Sequence, residues 1–309
     1  MRVASLLPSA TEMVHFAGAK DALVGVTHEC DHPPGVERLP KLTKSRIESH
    51  SMTSAGIDAA IGELLLSDDG SIYALDAALL EELAPDLVLT QGLCDVCAVS
   101  TNLVERAVAG LRKKPELLSL NPASLGEVLD DAVRVGEALG RGDEARAKVA
   151  VLEERLVLAE RSVAEYPRPR VGCIEWLDPP FSAGHWVPEM VRLAGGEELF
   201  AEPGGRSERL DWGAVFEADP DVLVLMPCGF DAGRAVREAS SLTELPGWSD
   251  LSAVRGGRVW AVDANSHFSR PAPRLVDGVE ILARLLHPEV FGTLEPAGAT
   301  RFSRVSSRA

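Results

Sequence analysis

Aromatic, cysteine and basic residues are all scarce in this chain of 309 residues: 5% is Phe, Trp or Tyr, five residues are Cys, and 31 Lys and Arg stand against 47 Asp and Glu. The formal charge of -16 repels phosphate backbones and anionic bilayers, which argues against nucleic acid as a partner. No apolar run reaches the roughly 18 residues that a membrane-spanning helix needs. The opening MRVASLLPSATEM has one Arg, a short apolar run and no small-residue cleavage site; with Met1 as the true start, the expectation is a cytoplasmic protein without a membrane span. In such a reducing compartment an odd number of cysteines points to free thiols, metal ligands or redox groups rather than structural bridges. A G-x-x-x-x-G-K phosphate loop, a G-x-G-x-x-G fingerprint and a Ser/His/Asp nucleophile signature are also missing, so the expectation is that the protein is not an enzyme.

What is present is an alternation of short apolar runs with helical-looking segments, the pattern of an α/β fold around parallel sheets. RVASLL (2–7), ALVGVT (22–27), DLVLTQ (86–91) and ELLSLN (116–121) are strand candidates in the first half; RVGCIEW (170–176), DVLVLMP (221–227) and GRVWAVD (257–263) are their counterparts in the second. LDAALLEELAPDLVLT from Leu75 aligns with LDWGAVFEADPDVLVL from Leu210 at an offset of 135, each reading as helix, Pro-Asp turn and buried strand. EMVHFAG (12–18) and EMVRLAG (189–195) echo each other, each after a strand beginning Arg-Val. Two echoes in one order indicate duplicated lobes. Between them, 122–166 carries apolar residues at helical spacing, Leu125, Val128, Leu129, Ala132, Val133 and Val135, then Val149, Leu152, Leu156 and Leu158 with Val163. Ser124 with Glu127 forms a capping box, and Gly140 and Gly142 are positions where the run can divide into two helices. The expected organisation is an N-terminal lobe at 1–121, a connecting helix at 122–166 acting as a spine, a C-terminal lobe at 167–296, and a disordered tail at 297–309.

This arrangement, together with DPPFSAG, RLAGGEELF and PAPRLVDGVEIL, resembles the helical-backbone substrate-binding proteins of ABC importers, and most closely their vitamin B12-binding branch, over about residues 1–290. The resemblance implies two parallel-sheet α/β lobes joined by a long spine helix, with the ligand in the cleft between lobes.

Ligands of open α/β sheets sit at the carboxyl ends of the strands, and Cys30, Cys94, Cys97 and Cys228 all follow strand candidates, as do His28, His32, His185 and His267; only Cys173 lies inside one. Cys94 and Cys97 form a C-x-x-C that reads as ligand or metal contact, as a redox pair, or as structural thiols closing a helix–strand contact. Cys30 and His32 in HECDHPPG, with Cys94 and Cys97, supply soft and borderline donors for a transition metal; the same alternation also suits a plain turn. Trp176, Phe181, Trp186, Trp212 and Phe268 are the aromatic faces for a flat ligand, while Glu175 and Asp178 can accept its amide hydrogens or cap the next helix. Trp212 also has a helix-interior reading, because the offset of 135 pairs it with Ala77.

Proteins of the resembled branch hold a corrin between aromatic residues, some of them on first-lobe loops; here those loops carry Glu29, Cys30, His32, Gln91 and Cys94 instead. Gly213 occupies the second-lobe position where the resemblance expects a transporter-docking glutamate, which counts against importer docking. The leading expectation is non-catalytic binding of a small molecule, a corrinoid or another metal chelate, by Glu29, Gln91, Cys94, Glu175, Trp176, Phe181, His185, Trp186, Trp212, His267 and Phe268. The alternatives are a bare transition metal on the Cys/His cluster, a thiol-dependent enzyme using Cys94 and Cys97, and an importer component whose export signal lies upstream.

Overall fold

Aliphatic runs such as Leu87–Thr90, Val222–Leu225 and Val259–Val262 become strands because their β-branched side chains suit an extended backbone. The computed structural model describes residues 1–66, 72–92 and 101–302, and divides into two compact units: Met1–Pro122 with Gly126–Val151, and Ala123–Leu125 with the chain from Leu152 onward.

In the first unit, β1 (Val3–Ser5), β2 (Leu23–Gly25), β5 (Leu87–Thr90) and β6 (Glu116–Ser119) form a parallel sheet in the order β2-β1-β5-β6, while β3 (Thr43–Ser45) and β4 (Tyr73–Leu75) make a separate antiparallel pair. Its core gathers Leu6, Leu42, Leu80, Val88 and Val104. In the second unit, β7 (Arg170–Leu177), β9 (Glu197–Glu198), β10 (Val222–Leu225) and β11 (Val259–Val262) run parallel in the order β9-β7-β10-β11. Two antiparallel strands are added to it, β8 (Pro180–Ser182) against β7 and β12 (Ala299–Arg301) against β11. Its core includes Ile174, Val215, Leu223, Leu225, Trp248 and Leu251.

The same strand order in both sheets is the internal duplication made visible, and it extends to single atoms. Helices Ala77–Leu83 and Trp212–Ala218 are capped by Asp76, which accepts from Leu79 N–H at 2.9 Å, and Asp211, which accepts from Gly213 N–H at 2.6 Å. Both end on a left-handed residue, Ala84 at φ 41° and Asp219 at φ 43°. The Pro-Asp that follows then turns a carboxylate back on the neighbouring strand: Asp86 accepts from Arg2 N–H at 2.6 Å, and Asp221 accepts from Arg170 N–H at 2.9 Å.

The segment 122–166 is two helices, Leu125–Ala138 and Gly142–Val163, divided by a turn at Gly140 (φ 68°). Gly136 lets them meet, since a β-carbon there would lie 2.5 Å from that of Ala145. The boundary between the units falls within the second helix, after Val151. Leu158, expected on the buried stripe, is 61% exposed, whereas Val149, Leu152, Ala159 and Val163 are buried. Within the segment expected as a tail, Ala299–Arg301 pairs with β11 and the Arg301 guanidinium lies 4.7 Å from the centre of the Trp260 ring, so packing and ladder hydrogen bonds order these residues, while 303–309 lie outside the described residues.

One buried acid marks the second sheet. The Glu198 carboxyl is enclosed on β9, its Oε1 accepting from Phe200 N–H at 3.2 Å and Cys173 N–H at 3.4 Å, while its Oε2 has no partner among the described residues. Burial pushes its pKa up to about 7 against the opposing effect of the Cys173 thiol bond, and burial raises the Cys173 thiol as well.

The folded chain therefore keeps a proton on Glu198 that the unfolded chain has lost above the ordinary carboxylate value. Stability should fall as pH rises from about 4.5 to about 7 and level off beyond. Glu198→Gln should flatten that slope, worth on the order of 3 kcal/mol, in urea unfolding at several pH values. Ala84→Gly should stabilise the protein by about 0.5–1 kcal/mol by removing a left-handed alanine, read as a raised urea midpoint.

Candidate functional site

Parallel strands deliver their following loops to one edge, and in the second unit these are the loops after β7, β10 and β11. The β7–β8 hairpin turns at Asp178-Pro179, which sets Trp176 directly across from Phe181; both are half-buried. After β10, the N–H groups of Met226 and Cys228 donate to the carbonyls of Ile174 and Glu175 at 2.8 and 3.0 Å, so the β7–β10 ladder continues beyond the strand. Gly229 (φ 77°) then turns the chain and places Phe230 beneath Trp176, ring centres 5.5 Å apart in an edge-to-face contact. Asn265 N–H, in the short helix Ala264–His267 after β11, donates to the Phe230 carbonyl at 3.1 Å. Asp231 caps helix Ala232–Ala239 through Arg234 N–H at 2.6 Å, and this first-turn residue lays its guanidinium 3.7 Å from the centre of the Phe230 ring.

Trp176, Phe230 and Arg234 thus form a column at the carboxyl edge. Arg234 sits where a cation opposes the helix dipole, and burial disfavours its charge further. Glu238 and Asp231 favour its charge in return, and a half-buried guanidinium at this edge is a candidate for recognising an electron-rich or anionic group. Sequence reasoning missed Phe230 and Arg234; the available signal was an arginine three residues after an aspartate cap, just past a buried strand.

His185 is half-buried in a left-handed conformation (φ 56°), pinned by its N–H to the Gly205 carbonyl at 2.6 Å and by Gly204 N–H to its own carbonyl at 2.8 Å. Gly184 is obligatory beside it, as a β-carbon there would meet Ser207 N at 2.5 Å. Burial, then the nearby Arg206, lowers the His185 pKa, so its imidazole is neutral at pH 7.

Several expected contacts go elsewhere. Trp186 is buried and donates Nε1–H to the Phe268 carbonyl at 2.7 Å, and Phe268 is itself 2% exposed: both are buried in this structure, and Gly278 of helix Leu275–Leu286 lets that helix approach Phe268 closely. Trp212 opens helix Trp212–Ala218 and packs with Phe216 and Trp248, donating Nε1–H to the Leu177 carbonyl at 3.2 Å. His267 is half-buried against Gly298, its Nδ1 without a partner among the described residues. Glu175 remains half-buried next to Trp176.

In the first unit, Cys30 is 2% exposed and wrapped by hydroxyls, its Sγ lying 3.1 Å from Thr27 Oγ1 and 3.2 Å from Thr11 Oγ1, with Thr11 donating onward to Ser5 at 2.9 Å. In this conformation the thiol is buried and in contact with these hydroxyls. Glu29 Oε1 lies 3.3 Å from His28 Nε2, and His28 Nδ1 is 2.8 Å from Thr43 Oγ1. His32 sits edge-on to His15 at 6.5 Å, and Gln91 is buried at the end of β5. Among the described residues no three of His, Cys, Asp and Glu converge as a metal site. Cys94 and Cys97 lie outside the described residues.

A family model described as "Periplasmic binding protein" matches residues 3–265. The chain is 25% identical over 297 residues, 94% of its length and 81% of the relative's, to an uncharacterized ABC transporter substrate-binding lipoprotein of Bacillus subtilis. It is 24% identical over 284 residues, 90% of its length and 86% of the relative's, to a vitamin B12-binding protein of Vibrio cholerae. Among solved structures, a periplasmic heme binding protein from Pseudomonas aeruginosa shares the fold with a TM-score of 0.69 at 22% identity, covering 94% of this chain and 93% of that one.

The contrast between the two described thiols beyond β2 and β10 is testable. Under native conditions an aromatic disulfide reagent should modify the exposed Cys228 rapidly and Cys30 only on unfolding. Cys228→Ser should remove one fast-reacting thiol, and Cys30→Ser none.

Proposed function

Since the chain belongs to the periplasmic binding protein family, we propose that it holds a flat metal chelate, a corrinoid or a related macrocycle such as haem, against the Trp176–Phe230–Arg234 column. Membership of a binding-protein family agrees with the expectation of non-catalytic ligand binding. The observation that carries the finer reading is the column itself: a half-buried Trp176 ring at the strand ends, where parallel sheets bind ligands, backed by the buried Phe230 ring with the Arg234 guanidinium stacked on it.

A macrocycle presents a wide π face, and an aromatic contact of this kind contributes about 0.5–1.5 kcal/mol beyond area burial. Arg234 suits a periphery bearing carboxylates or amide oxygens, because a guanidinium donates to such groups in a fixed fork. His185 is kept neutral, the form in which an imidazole coordinates a metal. The names of two relatives, one binding vitamin B12 and one binding heme, support the same ligand class. Gly213 offers no side chain for transporter docking, so the proposal is ligand capture with no stated transporter.

Titration of the purified protein with cyanocobalamin and, separately, with haemin should shift the visible spectrum of at least one of them. Trp176→Ala should weaken that binding at least tenfold, about 1.4 kcal/mol, without moving the unfolding midpoint of the ligand-free protein. Arg234→Gln should weaken haemin, with its carboxylates, more than cobalamin, whose periphery is largely amide. Saturable binding of neither chelate, or binding indifferent to Trp176→Ala, would sink the reading.

A further inference from the structure

An indole N–H shut away from water ordinarily finds an acceptor, because leaving it unpaired forfeits its hydration for nothing. Two tryptophans of the second unit follow that rule: Trp186 Nε1–H donates to the Phe268 carbonyl at 2.7 Å and Trp212 Nε1–H to the Leu177 carbonyl at 3.2 Å. Trp176 does not. Its Nε1 is enclosed and has no partner among the described residues, although the residue as a whole is only half-buried at the carboxyl edge. Trp260 also has an orphaned Nε1, but it is 6% exposed within β11, with the Arg301 guanidinium 4.7 Å from its ring centre, and presents no open edge to a ligand.

The surroundings of Trp176 explain why its donor stays unpaired. On the same strand, the carbonyls of Ile174, Glu175 and Leu177 already accept from Met226 N–H, Cys228 N–H and Trp212 Nε1–H. The Phe230 ring, its centre 5.5 Å from that of Trp176, is the neighbouring π acceptor. Arg234 has taken it: the guanidinium lies 3.7 Å from the Phe230 ring centre and draws on the same electron density that an N–H would use. No hydrogen bond to a described residue therefore holds the indole in place. The χ2 torsion of an indole has two broad wells, and passing between them exchanges the two edges of the ring.

We infer that Trp176 is a specificity-determining residue whose indole turns on ligand binding, so that Nε1–H donates to an acceptor oxygen on the ligand's edge, a carboxylate or an amide carbonyl. This rests on the reading of the Trp176–Phe230–Arg234 column as the binding site. A chelate with such an oxygen relieves the unpaired donor as well as stacking on the ring. One with a purely hydrocarbon periphery gains only the stacking, and is discriminated against because the donor stays unpaired.

With 15N-labelled tryptophan, each of the five tryptophans contributes one indole signal, and that of Trp176 is identified by its loss in Trp176→Phe. In the ligand-free protein its proton should resonate upfield of those of Trp186 and Trp212, whose donors are bonded. Saturation with a diamagnetic chelate, cyanocobalamin or zinc protoporphyrin, should move its proton and nitrogen signals downfield, whereas the ring current of a stacked macrocycle alone moves them upfield. Trp176→Phe keeps a ring and removes the donor; it should weaken binding of that chelate about fivefold without moving the unfolding midpoint of the ligand-free protein. Binding with the Trp176 signal unmoved or shifted upfield, or a Trp176→Phe variant that binds as tightly as the wild type, overturns the inference and leaves the reading of the site standing. Failure of both chelates to bind overturns the two together.

Discussion

A carboxylate turned back on a strand sets the register of both sheets. Asp86 receives the Arg2 N–H and Asp221 the Arg170 N–H, and in return the N–H groups of Asp86 and Asp221 donate to the carbonyls of Arg2 and Arg170 at 2.8 and 2.9 Å. These reciprocal bonds lock the start of β1 to β5 and of β7 to β10. Because side chains alternate along a strand, a slip of one residue would turn every buried side chain of β5 or β10 to the wrong face. The same register decides how far each strand runs, and so which residues emerge at its carboxyl end.

In the second unit that edge holds groups that stability alone would not select. Arg234 opposes a helix dipole, His185 occupies a left-handed backbone conformation, and Trp176 keeps an enclosed indole N–H without a partner among the described residues. Such local conflicts are characteristic of binding sites, where the surrounding scaffold offsets them. The first unit's edge differs: Cys30 is absorbed into a chain of buried hydroxyls, the response of a small thiol to a site without solvent.

The parallel strands and the duplication were legible because they rest on local chemistry: aliphatic runs, aspartate caps, the Pro-Asp turns and the echoed EMV segments. Trp176 was legible in the same way, since its place at a strand end follows from the run that precedes it. Phe230 and Arg234 were not, because an aromatic and an arginine in a loop look alike whether they meet a partner ring or water. Burial of Trp186 and Phe268 was not legible either: Trp186 bonds to the Phe268 carbonyl eighty-two residues away, and helix Leu275–Leu286 approaches Phe268 at Gly278.

By itself the sequence determined an α/β chain with two related halves, because its apolar runs can be buried only as parallel strands under covering helices. Tertiary structure alone decided which side chains at those strand ends join a site and which join the core. Burial is a property of all the elements packed around a residue, and most of those contacts come from distant parts of the chain.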